Sequence, residues 1–222
     1  GINVSRVLKT LDVDSTALGF AGGFPGKFIS KTLEESKIHT DFIEVDEDTR
    51  INVKLKSGQE TEINAPGPKV TQDQFQALLT QIKNTTNKDT VIVAGSVPNS
   101  IPSDAYAQIA EITKNTGAKL VVDAEKDLVE TVLPYQPLFI KPNKDELEVM
   151  FNTTVSSDQD VVKYGKEILK KGAQSVIISL GGDGAVYVDE QQSIKAVNPQ
   201  GKVINTVGSG DSTVAGMVAG LE

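Results

Sequence analysis

The sequence predicts an α/β fold, a mainly parallel sheet held between helices, with a small β-sheet lid. Short, continuous apolar runs alternate with stretches of helical period, the pattern of buried parallel strands joined by helices. One segment, 41–64, interrupts that alternation with closely spaced β-patterned runs and no helix. Glycine-rich turns follow several of the strand-like runs, at the sheet edge where parallel sheets bind ligands.

In chain order, Val4, Val7, Leu8 and Leu11 space an amphipathic helix at the start. Ala17–Phe20 reads as a strand, followed by the Gly22-Gly23 turn and a helix over Phe28–Ser36. Between Asp41 and Asn64, the runs Phe42–Val45, Arg50–Leu55 and Thr61–Ile63, with Ser57-Gly58 as a turn, predict an antiparallel flap. In Arg50–Lys56, Ile51, Val53 and Leu55 face one side, and Arg50, Asn52, Lys54 and Lys56 the other. This basic stripe suits an anionic ligand or a solvated strand face. Helices are predicted over Thr71–Lys83, Ser103–Asn115, Lys144–Phe151 and Asp158–Lys171, and strands over Thr90–Ala94, Lys119–Asp123, Leu138–Lys141 and Ser175–Leu180. No internal repeat divides the chain.

Composition narrows the function classes. With 22 basic and 30 acidic side chains the net charge is −8, which argues against a nucleic-acid footprint or an anionic membrane surface. The absence of cysteine excludes disulfides and thiolate metal sites, and a single histidine, His39, excludes a multi-histidine metal centre. His39 reads as a surface residue. No apolar run reaches membrane-spanning length, and the cytoplasm is the expected compartment. The chain opens directly into a helical pattern and stops within another at Leu221-Glu222, so it reads as an internal piece of a longer protein.

The most informative motif is Gly208-Ser209-Gly210-Asp211, which leads into the apolar run Thr213–Leu221. Glycines let backbone N–H groups turn toward a ligand, and a helix start adds unpaired N–H groups and the positive end of its dipole. An anion such as phosphate is attracted there. A carboxylate beside it suits a base that activates a hydroxyl for phosphoryl transfer. Asp211 equally suits an ordinary N-cap, and the motif alone leaves both readings open.

Ser179, Gly181 and Gly184 close a strand with glycines, as a nucleotide approach or as a plain hairpin into Val186–Val188. Asn143 and Glu146 stand three apart at a helix start. That spacing fits a capping box, or a carboxylate that helps hold Mg²⁺ through water. Asn3, the Gly22-Gly23 pair and Gly95-Ser96 carry no message singly, and Asp123 ends a strand without a role to bet on. The dinucleotide fingerprint fails because Thr213 stands at its third glycine, and the phosphate-loop motif fails around Gly26-Lys27.

Taken together these motifs resemble the ribokinase-like phosphofructokinase B family of sugar kinases. The matching elements run in the family's order: Gly1-x-Asn3, Gly22-Gly23, Thr49-Arg50, Gly95-Ser96-x-Pro98, Lys141-Pro142-Asn143-x-x-Glu146, Ser179-x-Gly181-x-x-Gly184 and Gly208-x-Gly210-Asp211. The resemblance implies one ribokinase-like domain over residues 1–222, truncated at both ends and including the lid at 41–64. It implies Asp211 as the base and Gly208, Ser209 and Gly210 as the anion hole. It implies Ser179, Gly181, Gly184 and Asn143 at ATP, and Glu146 at Mg²⁺, through water. Asn3, Gly23, Arg50 and Ser96 would face a sugar phosphate. The family's upstream acid for the sugar hydroxyls, the glycine-lysine pair expected before Gly1 and the C-terminal helices beside the adenine are not in this sequence, which leads one to expect weak activity or none from the chain as it stands.

Within the family, the Thr49–Lys54 strand is similar to that of bacterial 1-phosphofructokinases. The resemblance thus implies transfer from ATP to the C6 hydroxyl of fructose 1-phosphate, in a homodimer joined through the lid. The alternatives are a tagatose-6-phosphate kinase and a sensor that binds a sugar phosphate without turnover. A nicotinamide-dependent oxidoreductase is disfavoured by the failed fingerprint.

Overall fold

The computed structural model describes residues 1–57, 59–199, 201–203 and 205–221. The strands are β1 (Thr16–Ala21), β2 (His39–Glu44), β3 (Val53–Ser57), β4 (Gln59–Ile63), β5 (Thr90–Ala94), β6 (Lys119–Asp123), β7 (Phe139–Ile140), β8 (Ser175–Ser179), β9 (Ala185–Asp189) and β10 (Ser193–Ala196). The helices are α1 (Ile2–Thr10), α2 (Gly23–Glu35), α3 (Gln72–Lys83), α4 (Ala105–Thr116), α5 (Lys126–Val132), α6 (Lys144–Phe151), α7 (Asp158–Lys170) and α8 (Ser209–Leu221).

The main sheet has the order β10-β9-β8-β7-β6-β5. Strands β5 to β8 run parallel, and β9 and β10 add antiparallel to one edge. Alternation along these strands sorts side chains to two faces. Leu120, Val122, Ile140, Val176 and Ile178 pack with residues of α4, α5, α6 and α7. Val121, Phe139 and Ile177 pack on the other face against Val4 and Leu8 of α1 and Val214, Ala215 and Val218 of α8. The result is the expected three layers, and it brings the first and last helices together on one side of the sheet.

Three details differ from the sequence reading. Phe42–Val45 is not part of an antiparallel flap, because β2 pairs parallel with β1 in a separate two-stranded sheet. Only β3 and β4 form the antiparallel hairpin, with Val53 opposite Ile63. Arg50 precedes β3 instead of lying in it. Gly58 of the expected turn, and the side chains of Lys54 and Lys56 from the expected basic stripe, lie outside the described residues. Finally, α2 starts at Gly23, five residues before the expected Phe28. Pro25 falls in its first turn, where a missing N–H costs no helical hydrogen bond.

Helix ends are closed by side chains where the sequence carries the signals. Thr71 accepts from the amide of Gln74 while Gln74 accepts from the amide of Thr71, a reciprocal capping box. Ser157 and Asp160 do the same at α7, and the Ser157 hydroxyl and Ser156 amide hold the Asp160 carboxyl below its usual range. Among the described residues no helix is long and apolar enough to cross a membrane.

Helix α3 offers a stability test. Thr71→Ala removes one arm of its cap and is expected to cost about 1 kcal/mol. Phe75→Ala empties a side chain with 0% exposure and is expected to cost about 3–5 kcal/mol. Urea unfolding of the two variants should separate them in that order.

Candidate active site

The C-terminal ends of the four parallel strands β5 to β8 line up several polar residues, among them the candidates Ser96, Asn143 and Ser179. Gly95 and Ser96 follow β5, Asp123 ends β6, Lys141 and Asn143 follow β7, and Ser179 ends β8. Backbone bonds tie these ends together. The amide of Gly95 donates to the carbonyl of Asp123 (3.4 Å), that of Lys141 to Val122 (3.2 Å), and that of Ser179 to Pro142 (3.0 Å). An isolated parallel bridge joins Asn143 to Ser179.

Helix α8 approaches this edge from the α1 side. It begins at Ser209, so Asp211 is its third residue and not its N-cap. Gly208 turns the chain into it with φ +83°, a left-handed conformation that favours glycine. A first turn leaves its N–H groups without intrahelical acceptors. The amide of Ser209 is engaged by the carbonyl of Thr206 at 3.1 Å. Those of Gly210 and Asp211 have no such acceptor among the described residues, which leaves two donors at the positive end of the helix. The Asp211 side chain is 21% exposed. Its Oδ2 accepts a 2.9 Å hydrogen bond from Nδ2 of Asn3, a residue 208 positions away. Its Oδ1 lies 3.7 Å from the backbone nitrogen of Gly1.

Beneath the same turn sits an ion pair that sequence reasoning passed over. Lys141 Nζ lies 3.1 Å from Asp123 Oδ1, with the two side chains 7% and 20% exposed. A Cβ added to Gly210 would stand 3.3 Å from Lys141 Nζ and 3.8 Å from Asp123 Oδ2, so the ion pair lies in close contact with the first turn of α8. Burial pushes the Asp123 carboxyl above the usual range, Lys141 opposes the shift, and the charge of Asp211 adds to it. Tyr106 donates to the carbonyl of Gly95 at 2.7 Å. Burial and the nearby Asp123 raise its hydroxyl well above the ordinary value. The sequence signal for the pair was a charged residue where each of two apolar runs stops, Asp123 as the last residue of β6 and Lys141 directly after β7. Their meeting depends on the β6–β7 pairing, which periodicity cannot supply.

The other expected groupings form in part. Arg50 and Ser96, from separate segments, meet through a 2.9 Å bond from Arg50 Nη2 to Ser96 Oγ, and both are exposed. Gly23, with φ +61°, opens α2 under Asp48, whose carboxylate occupies the place of a Cβ. Its observed role is therefore close packing against the segment that follows β2. Asn143 and Glu146 form the capping box, Asn143 Oδ1 accepting from the amide of Glu146 and Glu146 Oε2 from that of Asn143, both at 2.8 Å. The second carboxylate oxygen of Glu146 has no protein partner among the described residues, and no cluster of three metal-ligating side chains occurs among them. A cation that takes one carboxylate and several waters, as Mg²⁺ does, fits that donor set. In the hairpin between β8 and β9, Gly184 at φ +91° is closely packed against the carbonyl of Ala196, whereas Gly181 at φ +59° faces open space.

The profile of the pfkB family carbohydrate kinases matches residues 1–222. The chain belongs to this family. A 1-phosphofructokinase of Bacillus subtilis is 46% identical over 221 residues, covering 100% of this chain and 73% of that relative. A D-tagatose-1-phosphate kinase of Bacillus licheniformis is 39% identical over 223 residues, with 100% and 73% coverage. Among solved structures, one from Staphylococcus aureus matches with a TM-score of 0.90 and 80% identity, over 99% of this chain and 72% of its own. Family membership makes the chain a carbohydrate kinase.

Gly23 allows a direct check of its packing role. Gly23→Ala places a methyl group on Asp48 in a left-handed backbone and should lower stability by about 1–2 kcal/mol. Gly67→Ala, with nothing within 4 Å, should leave the melting temperature unchanged.

Proposed function

We propose that this kinase transfers the γ-phosphoryl group of ATP to the C6 hydroxyl of fructose 1-phosphate, with Asp211 as general base. The observation that carries the reading is the Asn3–Asp211 hydrogen bond at a glycine-flanked helix start. Asn3 occupies Oδ2 and fixes the carboxylate plane, and Oδ1, beyond hydrogen-bond distance of the Gly1 nitrogen at 3.7 Å, is the oxygen assigned to take the hydroxyl proton. The unspent amides of Gly210 and Asp211, with Gly208 shaping the turn, form the anion hole for the transferring group. Catalysis of this kind is positioning and electrostatics, with no covalent work for the protein.

Asn143, Ser179, Gly181 and Gly184 lie together at the ends of β7 and β8 and suit the nucleotide, with Gly181 leaving room for close approach. When bound with the nucleotide, Mg²⁺ supplies neutralisation of phosphate charge. Glu146 would hold its water shell with the oxygen its cap does not use. Arg50, propped by Ser96, offers a guanidinium to a substrate that already carries phosphate. Gly23 serves this sugar-phosphate side by shaping the loop that carries Thr49 and Arg50: Thr49 donates its amide to Gly22 and accepts from Gly22 through Oγ1, both at 3.0 Å.

Both named relatives phosphorylate a ketohexose that carries phosphate on carbon 1, which supports a 1-phosphate substrate. Tagatose 6-phosphate and a non-catalytic sensor remain the comparison cases. The lid completes the reading. Ile51, Val53, Leu55 and Ile63 are each 42–56% exposed on β3, β4 and the approach to them, an apolar surface that a second copy of the chain would cover in a homodimer.

Asp211→Asn should lower kcat by about 10²–10⁴-fold with little change in the affinity for substrates. Near-full kcat would contradict the base assignment. ATP consumption should be fastest with fructose 1-phosphate and slower with tagatose 1-phosphate and tagatose 6-phosphate, and absence of turnover with all three would favour the sensor. In sedimentation, replacing Val53 and Leu55 by lysine should convert a dimer to a monomer. An unchanged mass would remove the lid from the interface.

A further inference from the structure

We propose that Tyr106 is a positioning residue for the sugar phosphate. Its hydroxyl holds the peptide unit between Gly95 and Ser96, and through that unit the Ser96 hydroxyl that props Arg50. The inference rests on the reading of Arg50 and Ser96 as the phosphate grip and goes beyond it by naming what holds the grip in place.

Tyr106 is the second residue of α4 and is only 6% exposed. Its ring belongs to the core cluster that holds Ala110, Leu120 and Val122. A close-packed ring leaves its hydroxyl few positions to occupy. That hydroxyl reaches the C-terminal end of β5 and donates to the Gly95 carbonyl at 2.7 Å. The other backbone bond of Gly95 among the described residues is long, 3.4 Å from its amide to the Asp123 carbonyl. Gly95 has φ +103°, and a Cβ there would meet nothing within 4 Å, so the glycine serves its backbone conformation and not a lack of space. The tyrosine hydroxyl is therefore the short, rigid tether of a turn that glycine leaves free to move.

The peptide unit is planar, so holding the Gly95 carbonyl also places the Cα of Ser96, from which Oγ projects. Ser96 Oγ accepts from Arg50 Nη2 at 2.9 Å, which joins the segment after β2 to the turn after β5. Arg50 is exposed, and a long side chain in water has many rotamers to lose. A guanidinium already held by Ser96 meets an incoming phosphate without that ordering cost. Three residues thus act in series: a core-held hydroxyl fixes a carbonyl, the carbonyl places a serine, and the serine aims an arginine.

The test compares Tyr106→Phe, Ser96→Ala and the double variant. Tyr106→Phe deletes the hydroxyl and keeps the ring, so the core stays filled and the melting temperature should fall only slightly. The KM for fructose 1-phosphate should rise by about 3–10-fold, the scale of one net hydrogen bond. The values of kcat and of the KM for ATP should stay nearly unchanged, as when uniform substrate binding is lost. Ser96→Ala should raise the same KM, and adding Tyr106→Phe to it should raise it no further, because both act on one contact. An unchanged KM in Tyr106→Phe beside a raised one in Ser96→Ala would overturn the inference and leave the Arg50–Ser96 reading standing. Additive effects in the double variant, or losses in kcat and both KM values together with early melting, would place the action of Tyr106 outside that contact and overturn it too. An unchanged KM for fructose 1-phosphate in Ser96→Ala would remove the phosphate grip itself, and the inference with it.

Discussion

The site depends on how α8 begins. An aspartate at a helix start is commonly a cap, but here the helix opens at Ser209 and Asp211 lies inside its first turn. Its carboxylate is held from outside the helix, by Asn3 on α1. That bond exists because α1 and α8 lie side by side on one face of the sheet, packed through Val4, Leu8, Val214, Ala215 and Val218. An apolar layer formed from the two extremes of the chain therefore fixes one polar contact. The contact in turn sets the orientation of the Asp211 carboxylate.

The sheet supplies the floor. Four parallel strands end along one edge, and each delivers a polar residue where its apolar run stops. Parallel strands bury both faces and leave only their ends for chemistry. At β6 and β7 those ends are Asp123 and Lys141, and their pair presses against Gly210. Gly210 packs closely on the ammonium, and its amide lies in the first turn of α8. The helix start and the strand ends thus lie against one another.

Local signals in the sequence were enough for much of this. Thr90–Ala94 and Lys119–Asp123 form strands with the expected bounds, and α6 spans Lys144–Phe151 as its cap pattern implied. These segments carry their own apolar run or capping residues, so the local pattern and the fold agree. The signal failed where structure depends on a distant partner. Phe42–Val45 alternates like a hairpin strand, but pairing direction is set by β1. Gly22-Gly23 reads as a turn with the helix starting at Phe28, yet Asp48 packs over Gly23 and the helix begins there. In the site, the motif residues Asp211, Asn143 and Glu146 were visible, and the Asn3–Asp211 contact, the Arg50–Ser96 contact and the Asp123–Lys141 pair were not. Each of those three joins segments far apart in sequence.

The most direct measurement is a structure of the protein with ADP, Mg²⁺, aluminium fluoride as the phosphoryl mimic, and fructose 1-phosphate. The account predicts the C6 hydroxyl within about 2.6–3.2 Å of Asp211 Oδ1 and the fluoride plane on the amides of Gly210 and Asp211. A hydroxyl separated from Asp211 by more than one water, or a fluoride bound away from the start of α8, would contradict it.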